Sequence, residues 1–218
     1  MLVINFKAYH ESSGTEALKL AKIIDKVSEN APVEVLIAVQ ALDLEAIAKE
    51  VKNVKVIAQH IDAVGYGAHT GKILPEEIKK HGAVGTLLNH SEYPIGREKI
   101  GEHIDFAQAL FPDYTIVCIP SYEETRVLDK NFDPHKIAFE PPELIGGDIS
   151  VSTEQPDIIK KVIGISNERQ ILVGAGIKTR EDIKISLDLG AIGVLVASGV
   201  VKAKDPGAVV KDFLQAWY

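Results

Sequence analysis

Eight short apolar runs, recurring about every 20 to 35 residues, limit what this chain can fold into more than any other feature. They are Leu2–Phe6, Val33–Val39, Val54–Gln59, Val84–Asn89, Tyr114–Ile119, Lys136–Glu140, Gln170–Gly174 and Ile192–Ala197. Each is short, often β-branched and nearly continuous in apolar character. Strands of a parallel sheet covered on both faces have that pattern. Between most of them lie stretches with apolar residues three and four apart, the spacing of one helix face. These are Thr15–Ser28, Leu42–Val51, Gly101–Leu110, Ser152–Ile163, Arg180–Leu189 and Pro206–Ala216. Leu18, Ala21, Ile24 and Val27 form one such stripe. Thr179-Arg180-Glu181-Asp182 reads as a capping-box start, and Gly190 sits where that helix should stop.

Strands alternating with helices give either an open doubly wound sheet or a closed barrel. Eight strands favour closure, and 218 residues is near the lower end for a (β/α)8 TIM barrel. No Pro/Ser-rich linker divides the chain, so residues 1–218 are expected to form a single domain. Ile61–Leu74 and Ser91–Ile100 are polar, Gly-containing loops longer than a connector needs.

Composition then removes several function classes. With 24 Lys+Arg against 31 Asp+Glu the net charge is −7, which offers no footprint for nucleic acid or an anionic membrane. No apolar run approaches the roughly 20 residues of a membrane span. The start, Met1–Lys7, lacks the basic and apolar regions of an export signal, so a cytoplasmic location is expected. Cys118 is the one cysteine, which excludes an internal disulfide and any cysteine-cluster metal site. Nothing in the spacing suggests a metal-ligand cluster or a nucleotide fingerprint.

In a parallel barrel the chemistry gathers where strands end. The first run ends Asn5-Phe6-Lys7 and the fourth Asn89-His90-Ser91-Glu92. The sixth ends Phe139-Glu140-Pro141-Pro142, the seventh Gly174-Ala175-Gly176 and the eighth Ala197-Ser198-Gly199. The last two are glycine turns suited to close approach of an anion to main-chain N–H groups. Glu140, closing an apolar run, is a carboxylate whose proton affinity burial would raise, as a general base requires; a buried salt bridge is the alternative. His90 fits a general acid, an electrophile or a core histidine. Lys7 fits an anion partner or a side chain reaching solvent. Ser198 fits a helix cap as well as a phosphate contact. His60 is expected to make a structural hydrogen bond, Cys118 to fill core space, and His69, His81, His103 and His135 to be exposed.

Together these segments resemble the triosephosphate isomerase family in its shorter archaeal form. Asn5-Phe6-Lys7 is similar to the family's Asn-x-Lys, and His90-Ser91-Glu92 to its His-Ser-Glu. Glu140-Pro141 resembles the start of its sixth loop, and Gly67-Ala68-His69-Thr70-Gly71 its third loop. The resemblance spans the chain in the right order. It implies a cofactor-free exchange of D-glyceraldehyde 3-phosphate and dihydroxyacetone phosphate through an enediol(ate). In that reading Glu140 carries the proton, neutral His90 polarises the carbonyl, and Lys7 steadies negative charge; the family is itself the standard example of this division of labour. The resemblance further implies that Asn5 lines the substrate and that Ile145, Gly176, Ala197 and Ser198 surround its phosphate. Glu92 would orient Lys7, and Thr70 would complete a neighbouring subunit's site, giving a homodimer or homotetramer.

The chain departs from the family at Gly147-Asp148, where the family's loop usually carries Thr-Gly, and at Tyr93-Pro94, where Arg commonly follows the glutamate. Two rivals keep the barrel. One is an aldolase-type enzyme on a phosphorylated substrate, although a Schiff-base lysine would be wanted where Glu140 stands. The other is a non-catalytic phosphosugar-binding protein.

Overall fold

The computed structural model describes residues 1–132, 134–141, 151–154, 156–165 and 170–218. All eight apolar runs become parallel strands: β1 Leu2–Asn5, β2 Val35–Val39, β3 Lys55–Ala58, β4 Gly85–Leu88, β5 Thr115–Ile119, β6 Lys136–Phe139, β7 Gln170–Val173 and β8 Gly193–Val196. They pair in sequence order, and β1 closes on β8 with Leu2 opposite Val194 and Ile4 opposite Val196. This is the closed (β/α)8 barrel the strand count predicts.

Side chains alternate along each strand, so the barrel has two apolar layers. Val3, Leu36, Ala38, Ile57, Leu87, Ile116, Cys118, Ala138, Leu172 and Leu195 fill the interior. Leu2, Ile4, Ile37, Val56, Leu88, Val117 and their counterparts face the helices. Cys118 is therefore core, as expected. The same alternation sets the rim. Two residues beyond the interior layer come Asn5, Gln59, Asn89, Glu140, Gly174 and Ala197, so the step of two that buries apolar side chains below delivers polar or small residues above.

The helices are α1 Thr15–Val27, α2 Ala41–Ala48, α3 Pro75–Lys80, α4 Arg97–Leu110, α5 Tyr122–Asn131, α6 Val151–Glu154, α7 Pro156–Ile165, α8 Arg180–Asp188, α9 Ser198–Val201 and α10 Pro206–Leu214. Several differ from expectation: α6 and α7 stand where one helix was expected over Ser152–Ile163, and the short α9 carries no apolar stripe long enough to mark it. Pro75–Lys80 and Tyr122–Asn131 are helical although neither carries a long apolar stripe; a proline opens the first and the Ser121 side chain caps the second. Helix α4 begins at Arg97, so the loop before it is shorter than Ser91–Ile100. The capping box of α8 forms as read, with Thr179 accepting from the Asp182 N–H and Asp182 accepting from the Thr179 N–H. Gly190 follows with φ +104°. Trp217 packs partly buried against the core. Among the described residues no helix is long and apolar enough to cross a membrane.

The barrel floor is closed by Gly193, where a Cβ would sit 1.8 Å from the Met1 carbonyl oxygen. That neighbour is backbone and cannot swing aside. Gly193→Ala is expected to destabilise the fold by about 3 kcal/mol, the upper end for overpacking. Urea denaturation reads this as a lower midpoint; an unchanged midpoint would mean the β1–β8 seam yields without cost.

Candidate active site

Three non-glycine residues among those described have positive φ: Lys7 at +50°, Asn89 at +58° and Ala175 at +72°. They follow β1, β4 and β7 at the same end of the barrel. Such conformations cost on the order of 1–3 kcal/mol each and persist only where surrounding contacts enforce them. Those contacts are visible. The Lys7 N–H donates to Asn5 Oδ1 at 2.9 Å, and the Lys7 carbonyl accepts from Gln59 Nε2 at 2.9 Å. Asn89 Nδ2 donates to the Cys118 carbonyl at 3.0 Å, while its Oδ1 accepts from the Ile95 N–H at 2.8 Å. Gln59 and Asn89 were visible in the sequence only as polar residues ending strands, with no role attached. Their place in the inward register is the signal that marks them.

Lys7 and His90 come from the turns after β1 and β4, and Glu140 from the end of β6, at the same rim. Glu140 and His90 are both buried, at 5% and 6% exposure. Their Oε2 and Nε2 atoms lie 3.7 Å apart, and neither has a hydrogen-bond partner among the described residues. Leaving a buried polar atom unsatisfied costs roughly 1–3 kcal/mol, so a pair of them facing one space reads as a place for a ligand. His90 Nδ1 accepts from the Glu92 N–H at 3.1 Å, which leaves the ring proton on Nε2, toward Glu140. Burial raises the Glu140 carboxyl pKa against the opposing pull of His90, the Cys118 thiol and Lys7. The Cys118 thiol is itself raised by burial, with the Glu140 charge adding to it.

Lys7 extends over the rim and its Nζ meets Glu92 Oε1 at 2.8 Å, the lysine side chain largely buried and the glutamate 58% exposed. It lines two adjoining cavities. One is a tight cradle of about 40 Å³ with Glu140, Ala175, Gly176, Ala197, Ser198 and Gly199. The other, about 530 Å³, includes Asn5, Gln59, His60, His90 and Glu92. In the cradle Ala197 takes the cap position of α9 and Ser198 is its first residue, rather than its cap. The first N–H groups of that turn have no acceptor within the helix and suit an anion. At Gly174 a Cβ would fall 2.4 Å from Glu140 Cγ, so only glycine leaves the carboxylate its present position.

Not every expected residue joins this group. Thr70 is exposed on the loop after β3 and lines neither cavity of its own chain. Ile145 and Gly147-Asp148 lie outside the described residues. His69, His81 and His135 are exposed as expected, but His103 is buried on the inner face of α4 beside Ile100, Ile104 and Ala107. His60 Nε2 makes no hydrogen bond among the described residues; Asp62 Oδ1 is 3.7 Å away.

A closed parallel barrel with a buried carboxylate, an imidazole and an ammonium beside a glycine-lined cradle defines the class of barrel isomerases acting on small substrates. Comparison with known proteins narrows it. The family model described as "Triosephosphate isomerase" matches residues 1–215. The chain is 44% identical to "Triosephosphate isomerase" of Methanobacterium bryantii, covering 98% of this chain and 95% of that one. It is 42% identical to the protein of the same name from Methanocaldococcus jannaschii, covering 99% of each, and 42% identical to that of Thermoplasma volcanium, covering 94% of each. The chain belongs to the triosephosphate isomerase family.

Proposed function

We propose that this chain interconverts D-glyceraldehyde 3-phosphate and dihydroxyacetone phosphate, in glycolysis and gluconeogenesis, without a cofactor. The observation that carries the reading is the pair of unpartnered buried atoms, Glu140 Oε2 and His90 Nε2, facing one space beside Lys7. Proton abstraction next to a carbonyl needs a base at carbon and a donor at oxygen, and a small substrate brings both within reach of that space.

In the forward direction Glu140 takes the C2 proton of the aldehyde. The C2–H electrons form the C1–C2 double bond, and the carbonyl electrons move onto O1 as an enediolate. The His90 Nε2–H hydrogen-bonds to that oxygen as its charge grows, and the Lys7 ammonium lowers the energy of the anion. A proton passes from the C2 hydroxyl to O1, and Glu140 returns its proton to C1, leaving the ketone at C2. Asn5 lines the substrate. Gly176, Ala197, Ser198 and Ile145 hold the phosphate, and Glu92 orients Lys7. Thr70 completes the site of a neighbouring subunit in a homodimer or homotetramer. The chain acts as one domain over residues 1–218 and works in the cytoplasm.

The test is turnover of D-glyceraldehyde 3-phosphate in metal-free buffer. Formation of dihydroxyacetone phosphate as the sole product is expected. Tight binding of the phosphorylated triose without turnover would make the chain a binding protein and refute the reading.

A further inference from the structure

Beside the site just described, the fold gathers a second group of side chains that the proton transfer does not use. His60 follows β3, Asp62 lies in the loop after it, and His103 comes from the inner face of α4. One ligand atom from each lies within 4.8 Å of the other two. Asp62 and His103 are buried, and His60 is nearly so. We propose that His60, Asp62 and His103 form a binding site for a divalent transition metal of the zinc type, which ties the loop after β3 to helix α4.

Each ligand is prepared in a different way. His103 Nδ1 lies 2.8 Å from the Lys99 carbonyl, which can only accept, so Nδ1 carries the proton and Nε2 keeps a free lone pair. A backbone carbonyl fixing the far side of an imidazole is the usual support of a metal-bound histidine. His60 Nε2 is buried without a hydrogen-bond partner among the described residues, and its ring is steadied edge-on against Tyr93 at 4.7 Å between centroids. Asp62 is anchored by the Ile73 N–H at 2.7 Å on Oδ2, which leaves Oδ1 facing His60 and the Lys72 ammonium.

The spacing fits. Two atoms bound to one tetrahedral zinc at about 2.0–2.1 Å stand roughly 3.4 Å apart. His60 Nε2 and Asp62 Oδ1 are already at 3.7 Å. Two imidazoles with one carboxylate suit zinc, cobalt or nickel, whereas magnesium and calcium take oxygen ligands. Lys72 Nζ occupies Asp62 Oδ1 at 2.8 Å, but its side chain is half exposed and free to turn to solvent. The metal therefore competes with one ammonium for one carboxylate oxygen. Its function is to clamp the third loop, and it takes no part in the reaction proposed above.

The test is zinc titration of chelator-treated protein, read by calorimetry and by melting temperature. Wild type is expected to take up one zinc per chain and to melt higher with it, since binding to the native state alone stabilises that state. His103→Gln should weaken uptake by at least the roughly 10–100-fold that loss of a mere supporting partner costs, and should abolish the melting shift. Lys72→Met changes only an exposed side chain, and should tighten zinc severalfold by releasing Asp62. No saturable uptake in wild type would overturn the proposal. So would equal affinity in His103→Gln, which would place the metal on exposed histidines, or unchanged affinity in Lys72→Met.

Discussion

Glu140→Gln is expected to lower kcat by about 10³-fold, or about 4 kcal/mol of barrier, in the middle of the range for a positioned proton-transfer group. The amide keeps the shape and a hydrogen-bonding edge toward Cys118, but it has no site for the proton taken from carbon. KM should change little, because glutamine keeps the size of the side chain and leaves Lys7, Gly176 and Ser198 of the cradle untouched. The wild-type pH profile is tied to the same group. Burial raises the Glu140 pKa, so the working carboxylate is lost as pH falls through a value above the ordinary glutamate figure of about 4.3. The acid limb of kcat/KM should lie above that figure. A Glu140→Gln enzyme within tenfold of wild type would assign the base elsewhere.

Lys7→Met should cost kcat/KM about 10²–10³-fold, the range seen when one preorganised donor to a developing oxyanion is removed. Methionine has nearly the length and apolar body of lysine, so packing is kept while the charge is lost. Lys7 lines both cavities, so the loss should divide between a higher KM, from weaker phosphate attraction, and a lower kcat, from a less stable enediolate. Its present partner, Glu92, is 58% exposed and returns to water without a buried charge left behind. Steady-state kinetics separate the two parts. An unchanged kcat/KM would mean that Lys7 serves only its exposed pair with Glu92.

The fold was legible because parallel strands buried on both faces leave continuous apolar runs, and eight of them in order leave little choice but closure. Helices α3 and α5 were not, for a physical reason. In α3 one turn of Pro75–Lys80 buries only Pro75 and Ile78, and half the residues of α5 are charged, so neither shows a long stripe. Their order comes from capping and from packing against the barrel. The rim could be read from the alternation alone. Residues two steps beyond the interior layer are Asn5, Asn89, Glu140 and Gly174, and their inward direction follows from period two.

Depth and pairing were harder to read. A lone histidine among charges reads as a surface residue, yet His103 is buried. Ile100, Ile104 and Ala107, at helical spacing around it, already marked that face as buried. The approach of His60 and Asp62 to His103 depends on how the loop after β3 meets α4, which no local pattern encodes. The meeting of Lys7 with Glu92, 85 residues apart in the chain, was expected from the family resemblance and not from any local pattern.

The most direct test of the account is the conversion of D-glyceraldehyde 3-phosphate in D2O, with the product analysed by NMR at early turnover. Transfer through a carboxylate and an enediolate passes the proton by a group that exchanges with solvent, so deuterium should appear at C1 of dihydroxyacetone phosphate. Product formed at full rate with no deuterium at C1 would mean hydrogen moves directly between the carbons, and would contradict the role given to Glu140.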